Sequence, residues 1–382
     1  MARRHMSDIA GKLFPSSFVG SYPRPTWFTY NLGGRDILQA FRDEDFAQAY
    51  KDGTRAMIGD QEEAGIDVIA DGHLWYDRHQ GFIASFLLYN LERMQGIEIQ
   101  PQETASKLFA SETAVSGTDF SQTMETSSLD EVMEAISGAT FSVTRKVGRG
   151  PMRHAMNWSL AQRCTTKPVK AFFAMGPVEL SATVVDMHYK DRKALLRDMA
   201  DIYHEEMLAA VAAGARIVEL DDLIFLAPPD EWEFDIEILN RVFDGIDAYK
   251  IWHCCHGGTP APVGIAPYKA MFPYAKELQV DSFDWSFAQT GFPEDELALF
   301  ATPGFDKDLG LGVISNKNYL IETPEEVAEG IRKAAKHVDP ARIHLTSDCG
   351  LFAYSRSLAK AKLSSMVKGA AIARGELTAA AS

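Results

Sequence analysis

The sequence predicts an α/β protein, a single (β/α)8 TIM barrel spanning residues 1–382, on three observations. Eight short apolar runs bounded by Gly, Asp or Pro recur along the chain, and helical patterns separate most of them. The composition, 46% hydrophobic and 24% charged in 382 residues, supplies a sizeable core and lacks the bias of a disordered chain.

The candidate strands are 17–21, 67–71, 169–173, 216–220, 250–254, 278–283, 309–314 and 342–346. Eight is the number such a barrel needs. Between them, 192–213 places Leu195, Leu196, Met199, Ile202, Tyr203, Met207 and Leu208 at helical spacing and stops at Gly214. Thr323-Pro324-Glu325-Glu326 reads as a helix start, with Thr323 as N-cap and Pro324 in the first turn. Roughly 90 residues separate the second and third candidate strands, where a βα loop needs only a few. Residues 90–165 are therefore expected to form an insertion over the barrel mouth with structure of its own, not an independent domain. Within that region 96–127 is polar and Ser/Thr-rich, and 139–149 reads as a strand.

Charge and cysteine usage narrow the function classes. The formal net charge is -15 and no Lys/Arg-rich run interrupts it, which argues against a nucleic-acid or anionic-membrane partner and favours a small molecule. Four cysteines, two of them adjacent, make no disulfide framework and point to reduced thiols in the cytoplasm. No secretory apolar region follows Met1, and no uncharged apolar run approaches the ~18 residues of a spanning helix. The sequence carries no indication of oligomeric state.

In such a barrel, chemistry gathers at the C-terminal ends of the strands, where the βα loops converge. The residues there are Gly20-Ser21, Asp71-Gly72-His73, Gly176-Pro177, Asp221-Asp222, His253-Cys254-Cys255-His256, Asp284 to Ser286, Asn316 and Asp348-Cys349-Gly350. The fifth and eighth segments stand out because imidazole and thiolate are the ligands a borderline-soft ion such as zinc prefers. In an extended segment His253 and Cys255 point to one side and Cys254 to the other. A metal shared with Cys349 would sit near the barrel axis, a position suited to substrate. Taken singly, each residue has a plainer explanation: a buried cysteine is usually a small hydrophobe and a lone histidine a satisfied core residue.

At these residues the chain resembles the cobalamin-independent methionine synthase family, specifically its C-terminal catalytic barrel. The matching segments, in order, are Val19-Gly20-Ser21-Tyr22-Pro23-Arg24, Lys170 to Pro177, Ala213-Gly214-Ala215 leading to Glu219-Leu220-Asp221-Asp222, His253-Cys254-Cys255, Leu309-Gly310-Leu311-Gly312-Val313 and Ser347-Asp348-Cys349-Gly350. The resemblance implies that His253, Cys255 and Cys349 bind zinc (Zn2+), and that a fourth position takes the substrate thiol. Zinc-bound thiols are deprotonated and held for attack on an activated carbon.

Three departures bear on the substrate. Where the family commonly has a glutamate zinc ligand, this chain offers Asp284 or Ser286 as the fourth-ligand candidate. Where the family has an acidic residue that helps hold the amino group of homocysteine, this chain has His73. The family's Asp-Glu pair is Asp221-Asp222 here, followed by Leu223 where proline is frequent. His73, Asp221 and Asp222 are accordingly the catalytic candidates, and Gly20, Ser21, Asp221 and His73 the substrate-binding ones, Gly20-Ser21 for an acidic group.

The leading expectation is a zinc-dependent thiol methyltransferase acting on homocysteine with an unspecified methyl donor. A second is C–S bond formation of the epoxide:coenzyme M transferase kind, with a neutral-to-cationic His73 protonating the developing alkoxide and Arg24, Arg78 and His79 as the available cations. A third is a non-catalytic zinc or small-ligand binding protein. Tyr22, Trp27, Trp75, Tyr76, Trp252 and Trp285 are aromatics that can either stack on a flat donor or pack the core.

Overall fold

A computed structural model gives the fold over residues 4–77, 84–101, 139–255 and 268–381. The strands are β1 (Ile69–Ala70), β2 (Gln95–Pro101), β3 (Ala139–Gly148), β4 (Val169–Phe173), β5 (Val185–Asp186), β6 (Ile217–Asp221), β7 (Tyr249–Cys254), β8 (Ser282–Ser286), β9 (Asp308–Ile314) and β10 (Ile343–Ser347). The longer helices are α1 (Glu44–Ala64), α2 (Ala84–Arg93), α3 (His154–Gln162), α4 (Arg192–Ala213), α5 (Trp232–Phe243), α6 (Tyr268–Ala275), α7 (Pro324–Ala335) and α8 (Arg356–Ala381).

Local chemistry explains the helix ends. Asp43 caps α1 by accepting from the amides of Asp45 and Phe46, and Gly65 ends it with φ +89°. Its buried stripe of Phe46, Tyr50, Met57, Ile58 and Gln61 follows the helical period. Asp191 caps α4, which begins and ends where the apolar spacing placed it, at Arg192 and before Gly214. Thr323 and Glu326 form a reciprocal capping box at the start of α7, with Pro324 in the first turn.

Seven strands form one parallel sheet in the order β1-β4-β6-β7-β8-β9-β10. The expected eighth strand, 17–21, is not a laddered strand. Its neighbourhood bridges both edges of the sheet instead: Ser16 pairs with Leu345 of β10, and Ser21 pairs with Gly72 just beyond β1. The segment passes from one partner to the other within six residues, so no run of consecutive pairs forms. The count of eight regular strands is thus corrected to seven plus a bridging segment. A second correction concerns 278–283. Leu278 and Val280 are buried, which produced the apolar signal, but Leu278 still belongs to the turn after α6, through its amide bond to the Ala275 carbonyl, and the ladder starts at Ser282.

The two faces of the sheet differ in chemistry. Phe173, Leu220, Trp252, Phe283, Trp285, Leu309, Leu311, Ile343 and Leu345 are fully buried. Each such side chain contributes about 1.5–3 kcal/mol by leaving water. The opposite face is polar. Asp221, His253, Asp284, Gly310 and His344 lie in register across β6, β7, β8, β9 and β10, so they share one side. Gly310 is required there: a Cβ at this position would collide with the Asp284 carboxylate, which reaches over it to His344 Nε2 at 2.9 Å. Lys170 of β4 and Glu219 of β6 form a fully buried ion pair.

The region expected as an insertion contributes β2 and β3, which pair antiparallel, and β5 adds to β3 in parallel. Residues 102–138, which include most of the polar stretch 96–127, lie outside the described residues. Among the described residues no helix is long and apolar enough to cross a membrane.

Candidate metal centre and its surroundings

His253 is the fifth residue of β7, and Cys255 follows the strand by one position. Strand alternation turns both to the polar side, while Cys254 is buried within the hydrophobic core. Cys349 arrives two residues after β10. One ligand atom from each of His253, Cys255 and Cys349 lies within 4.8 Å of the others. His253 is fully buried, and neither ring nitrogen finds an oxygen or nitrogen partner among the described residues.

The three groups perturb one another strongly. A hydrogen bond from Cys255 holds the Cys349 thiol well below its ordinary value against the effect of burial, and His253 adds to it. Cys255 is pushed up correspondingly, by the same bond and by burial. Burial alone would lower His253, but Cys349 and then Asp221 outweigh it and raise it to about 9. One imidazole and two thiols, clustered and largely buried, fit a borderline-soft cation in both donor type and number.

Cys349 is positioned by contacts from three other strand ends. The Asp348 carboxylate accepts from the amides of Phe287, Ala288 and Gln289 at 2.9, 3.0 and 2.8 Å, fixing the loop after β8. The Asp348 amide donates to the Ile314 carbonyl at the end of β9. Ser347 receives the Val19 amide on its hydroxyl and donates to the Cys349 carbonyl. Of the two fourth-ligand candidates, the Ser286 hydroxyl donates to the Asp348 carbonyl, while Asp284, outside the three-residue group, takes His344 and Ser282 on Oδ1 and keeps a buried Oδ2 without a hydrogen bond.

The adjacent acids Asp221 and Asp222 diverge. Asp222 is fully buried, and its carboxylate accepts from the amides of Val178 and Glu179 at 3.0 and 2.8 Å, in the first turn of the short helix Pro177–Ser181. It packs so closely on Gly176 that no side chain fits there. Asp221 faces the metal group. Burial raises it to about 7, offset in part by His253, and its Oδ1 has no hydrogen-bond partner. Glu179, which the sequence did not single out, is buried beside both; burial and then the charges of Asp221, Asp222 and Cys349 raise it well above the carboxylate range.

Ser21 donates to or accepts from His73 Nδ1 at 2.8 Å, and the Ser21 carbonyl receives the Leu351 amide. A Cβ on Gly350 would lie 3.2 Å from the Ser21 Cβ, so Ser21 adjoins the Cys349 loop. Gly20 lets the His73 ring approach the backbone, since a Cβ there would come within 2.5 Å of Cε1. His73 itself adopts φ +54° and is packed against Tyr76, Phe172 and Trp75. Burial first, then the charges of His154 and Lys170, hold it well below its ordinary value, so the ring is neutral. Arg24 is spent on the carbonyls of Tyr30, Leu74 and Tyr76. Arg78, His79 and His256 lie outside the described residues. Of the aromatics, Trp252 and Trp285 are core, Trp27 is exposed, and Trp75 and Tyr76 flank His73. Lys317 was also missed by the sequence reading; its Nζ is buried without a hydrogen bond, and its charge acts on Cys255 and Cys349.

Fold and site together define a parallel α/β protein with a His-Cys-Cys group at its strand ends. Residues 263–372 match the family model of the cobalamin-independent synthase catalytic domain. A methionine synthase from Saccharolobus islandicus strain L.S.2.15 is 29% identical over 365 residues, covering 96% of each chain. One from Sulfurisphaera tokodaii is 28% identical over 370 residues, covering 96% of this chain and 94% of that one. The structure of a B12-independent methionine synthase from Shewanella sp. W3-18-1 in complex with selenomethionine superimposes with a TM-score of 0.76 at 25% identity, covering 96% and 99% of the two chains. A methyltransferase from Methanosarcina mazei, 13% identical with a TM-score of 0.54, shares the fold over 98% and 97% of the two chains. The chain is thus similar to cobalamin-independent methionine synthases over nearly its whole length.

Proposed function

We propose that the protein is a zinc-dependent methyltransferase that methylates the thiol of homocysteine. The observation that carries this is the convergence of His253, Cys255 and Cys349 within 4.8 Å, with His253 and Cys255 buried, Cys349 half-buried and both His253 ring nitrogens without an oxygen or nitrogen partner among the described residues. These residues would hold zinc with a position left for the substrate thiol, and zinc when bound favours the thiolate and fixes its direction. The remaining work belongs to the chain's own side chains. Asp348 holds Cys349 in place through the loop after β8, and Asp222 holds the Gly176–Glu179 turn, which makes Asp222 a positioning residue. Asp221 presents an unpartnered carboxylate oxygen to the substrate amine. Ser21, bound to neutral His73, offers its hydroxyl beside the Cys349 loop to the substrate's acidic group. In the transfer, the thiolate sulfur forms a bond to the methyl carbon while the bond to the donor breaks, and the donor leaves with that electron pair. The bridging segment 15–22 is read as completing the ring of strands, and the reduced state of all four cysteines suits a cytoplasmic setting.

Epoxide opening on a sulfonated thiol is less well supported, because Arg24 is spent on carbonyls and His73 is neutral. Cobalt-substituted protein titrated with homocysteine, coenzyme M and simple alkyl thiols tests the reading. A sulfur-to-cobalt absorption band with homocysteine is expected. A spectrum unchanged by every thiol leaves only a binding protein.

A further inference from the structure

We propose that Glu179 is a specificity-determining residue: its carboxylate joins that of Asp221 in receiving the ammonium group of the thiol substrate. This rests on the thiol-activation reading above.

The two residues sit on neighbouring strand ends. Glu179 is in the helical turn just after β4, Asp221 is the last residue of β6, and β4 and β6 are paired. Both side chains are more than nine-tenths buried, at 6% and 8% exposure. Oε2 of Glu179 and Oδ1 of Asp221 make no hydrogen bond. Asp221 stands opposite His253 in the β6–β7 register, so the pair borders the His-Cys-Cys group. The nearby carboxylate of Asp222 does not compete for a ligand, because two backbone amides occupy it.

Two buried carboxyl groups on neighbouring strand ends, each with an oxygen that makes no hydrogen bond, are unfavourable without a cation between them. Lys170 pairs with Glu219 and Lys317 acts on the cysteines, so neither supplies it. A primary ammonium does, because it carries a full positive charge and three N–H donors. It can donate to both free oxygens and still point a third N–H elsewhere. His73, being neutral, adds no negative charge on the other side of the site. Attraction of the amine therefore falls to Asp221 and Glu179. A thiol without an amine would leave both carboxyls as they are and gain nothing from them.

The test compares homocysteine with 4-mercaptobutyrate, which has the same chain length and carboxylate but no amino group, on the zinc- or cobalt-loaded protein and its Glu179→Gln variant. Binding is read by calorimetry and by the cobalt band, with metal content measured in parallel. Glu179→Gln is expected to weaken homocysteine by about tenfold, or ~1.4 kcal/mol, and to leave 4-mercaptobutyrate within about twofold. An unchanged ratio of the two affinities, or an equal loss for both, overturns the assignment. The ratio is internal to each protein, so a partly misfolded variant does not mimic the expected result. If homocysteine and 4-mercaptobutyrate both leave the unaltered protein's cobalt spectrum unchanged, the thiol reading fails and the Glu179 assignment fails with it. If both bind and Glu179→Gln does not alter their ratio, only the assignment fails.

Discussion

Substituting Glu219 with Gln removes one half of a fully buried ion pair and leaves the Lys170 ammonium inside the sheet without its partner. Breaking such a pair from one side costs about 3–5 kcal/mol, because the remaining charge keeps its desolvation penalty. The structure favours the lower end of that range. Asp284 is close enough for its charge to interact with Lys170, and it partly replaces the lost carboxylate. The expected loss is thus ~3 kcal/mol, a large share of the 5–15 kcal/mol typical of a domain. Replacing both residues, Lys170→Met with Glu219→Leu, removes both charges at similar volume and should fall within about 1 kcal/mol of the unaltered protein. Urea unfolding followed by circular dichroism, with slopes compared to confirm a common unfolded state, measures both differences. A Glu219→Gln protein as stable as the original would refute the view that this interior pair is a matched charge unit.

Four further outcomes are expected. Cys349→Ala should lower zinc retained after dialysis by more than about tenfold, read by elemental analysis; full retention would remove Cys349 from the metal group. Glu206 on α4 is depressed from an ordinary value of 4.5 to about 2, because hydrogen bonds from His154 and Arg149 outweigh burial. Its contribution, on the order of 3 kcal/mol, is present above the unfolded value and lost as pH falls through the folded one, so Glu206→Gln should flatten the stability profile over that acid window. Gly310→Ala should destabilise by about 1–3 kcal/mol through collision with Asp284, seen as a lower melting temperature. His73→Glu should strengthen amine-bearing thiols relative to others in the same calorimetric panel; an unchanged preference would move His73 out of the acceptor pocket.

Most strand positions could be read from the sequence because the outer face of the sheet is uniformly apolar, and alternation supplies the rest. The errors share a cause: burial without pairing. Leu278 and Val280 are buried from a turn, and 17–21 is apolar yet divided between two edges. The clustering of His253, Cys255 and Cys349 was legible because His and Cys are uncommon and stood at strand ends with the right alternation. Glu179 was not, because an acidic residue in a first helical turn ordinarily signals a solvated residue favoured by the helix dipole. Here it is buried, and its carboxyl accepts the Leu223 amide in the loop after β6. Asp221 and Asp222 are adjacent in the sequence, yet alternation at the strand end turns their carboxylates apart, and that of Asp222 takes the Val178 and Glu179 amides.

The small sheet of β2, β3 and β5 ties the excursion between β1 and β4 to the rest of the fold. Two of its strands come from the excursion between β1 and β4, but the third, Val185–Asp186, belongs to the connection between β4 and α4. Arg149, just past β3, further grips Glu206 on α4. The excursion is therefore not a cassette that can be excised or transplanted by cutting at its two ends. A graft that carried only residues 90–165 would leave the lender with an unpaired edge and give the recipient a sheet one strand short.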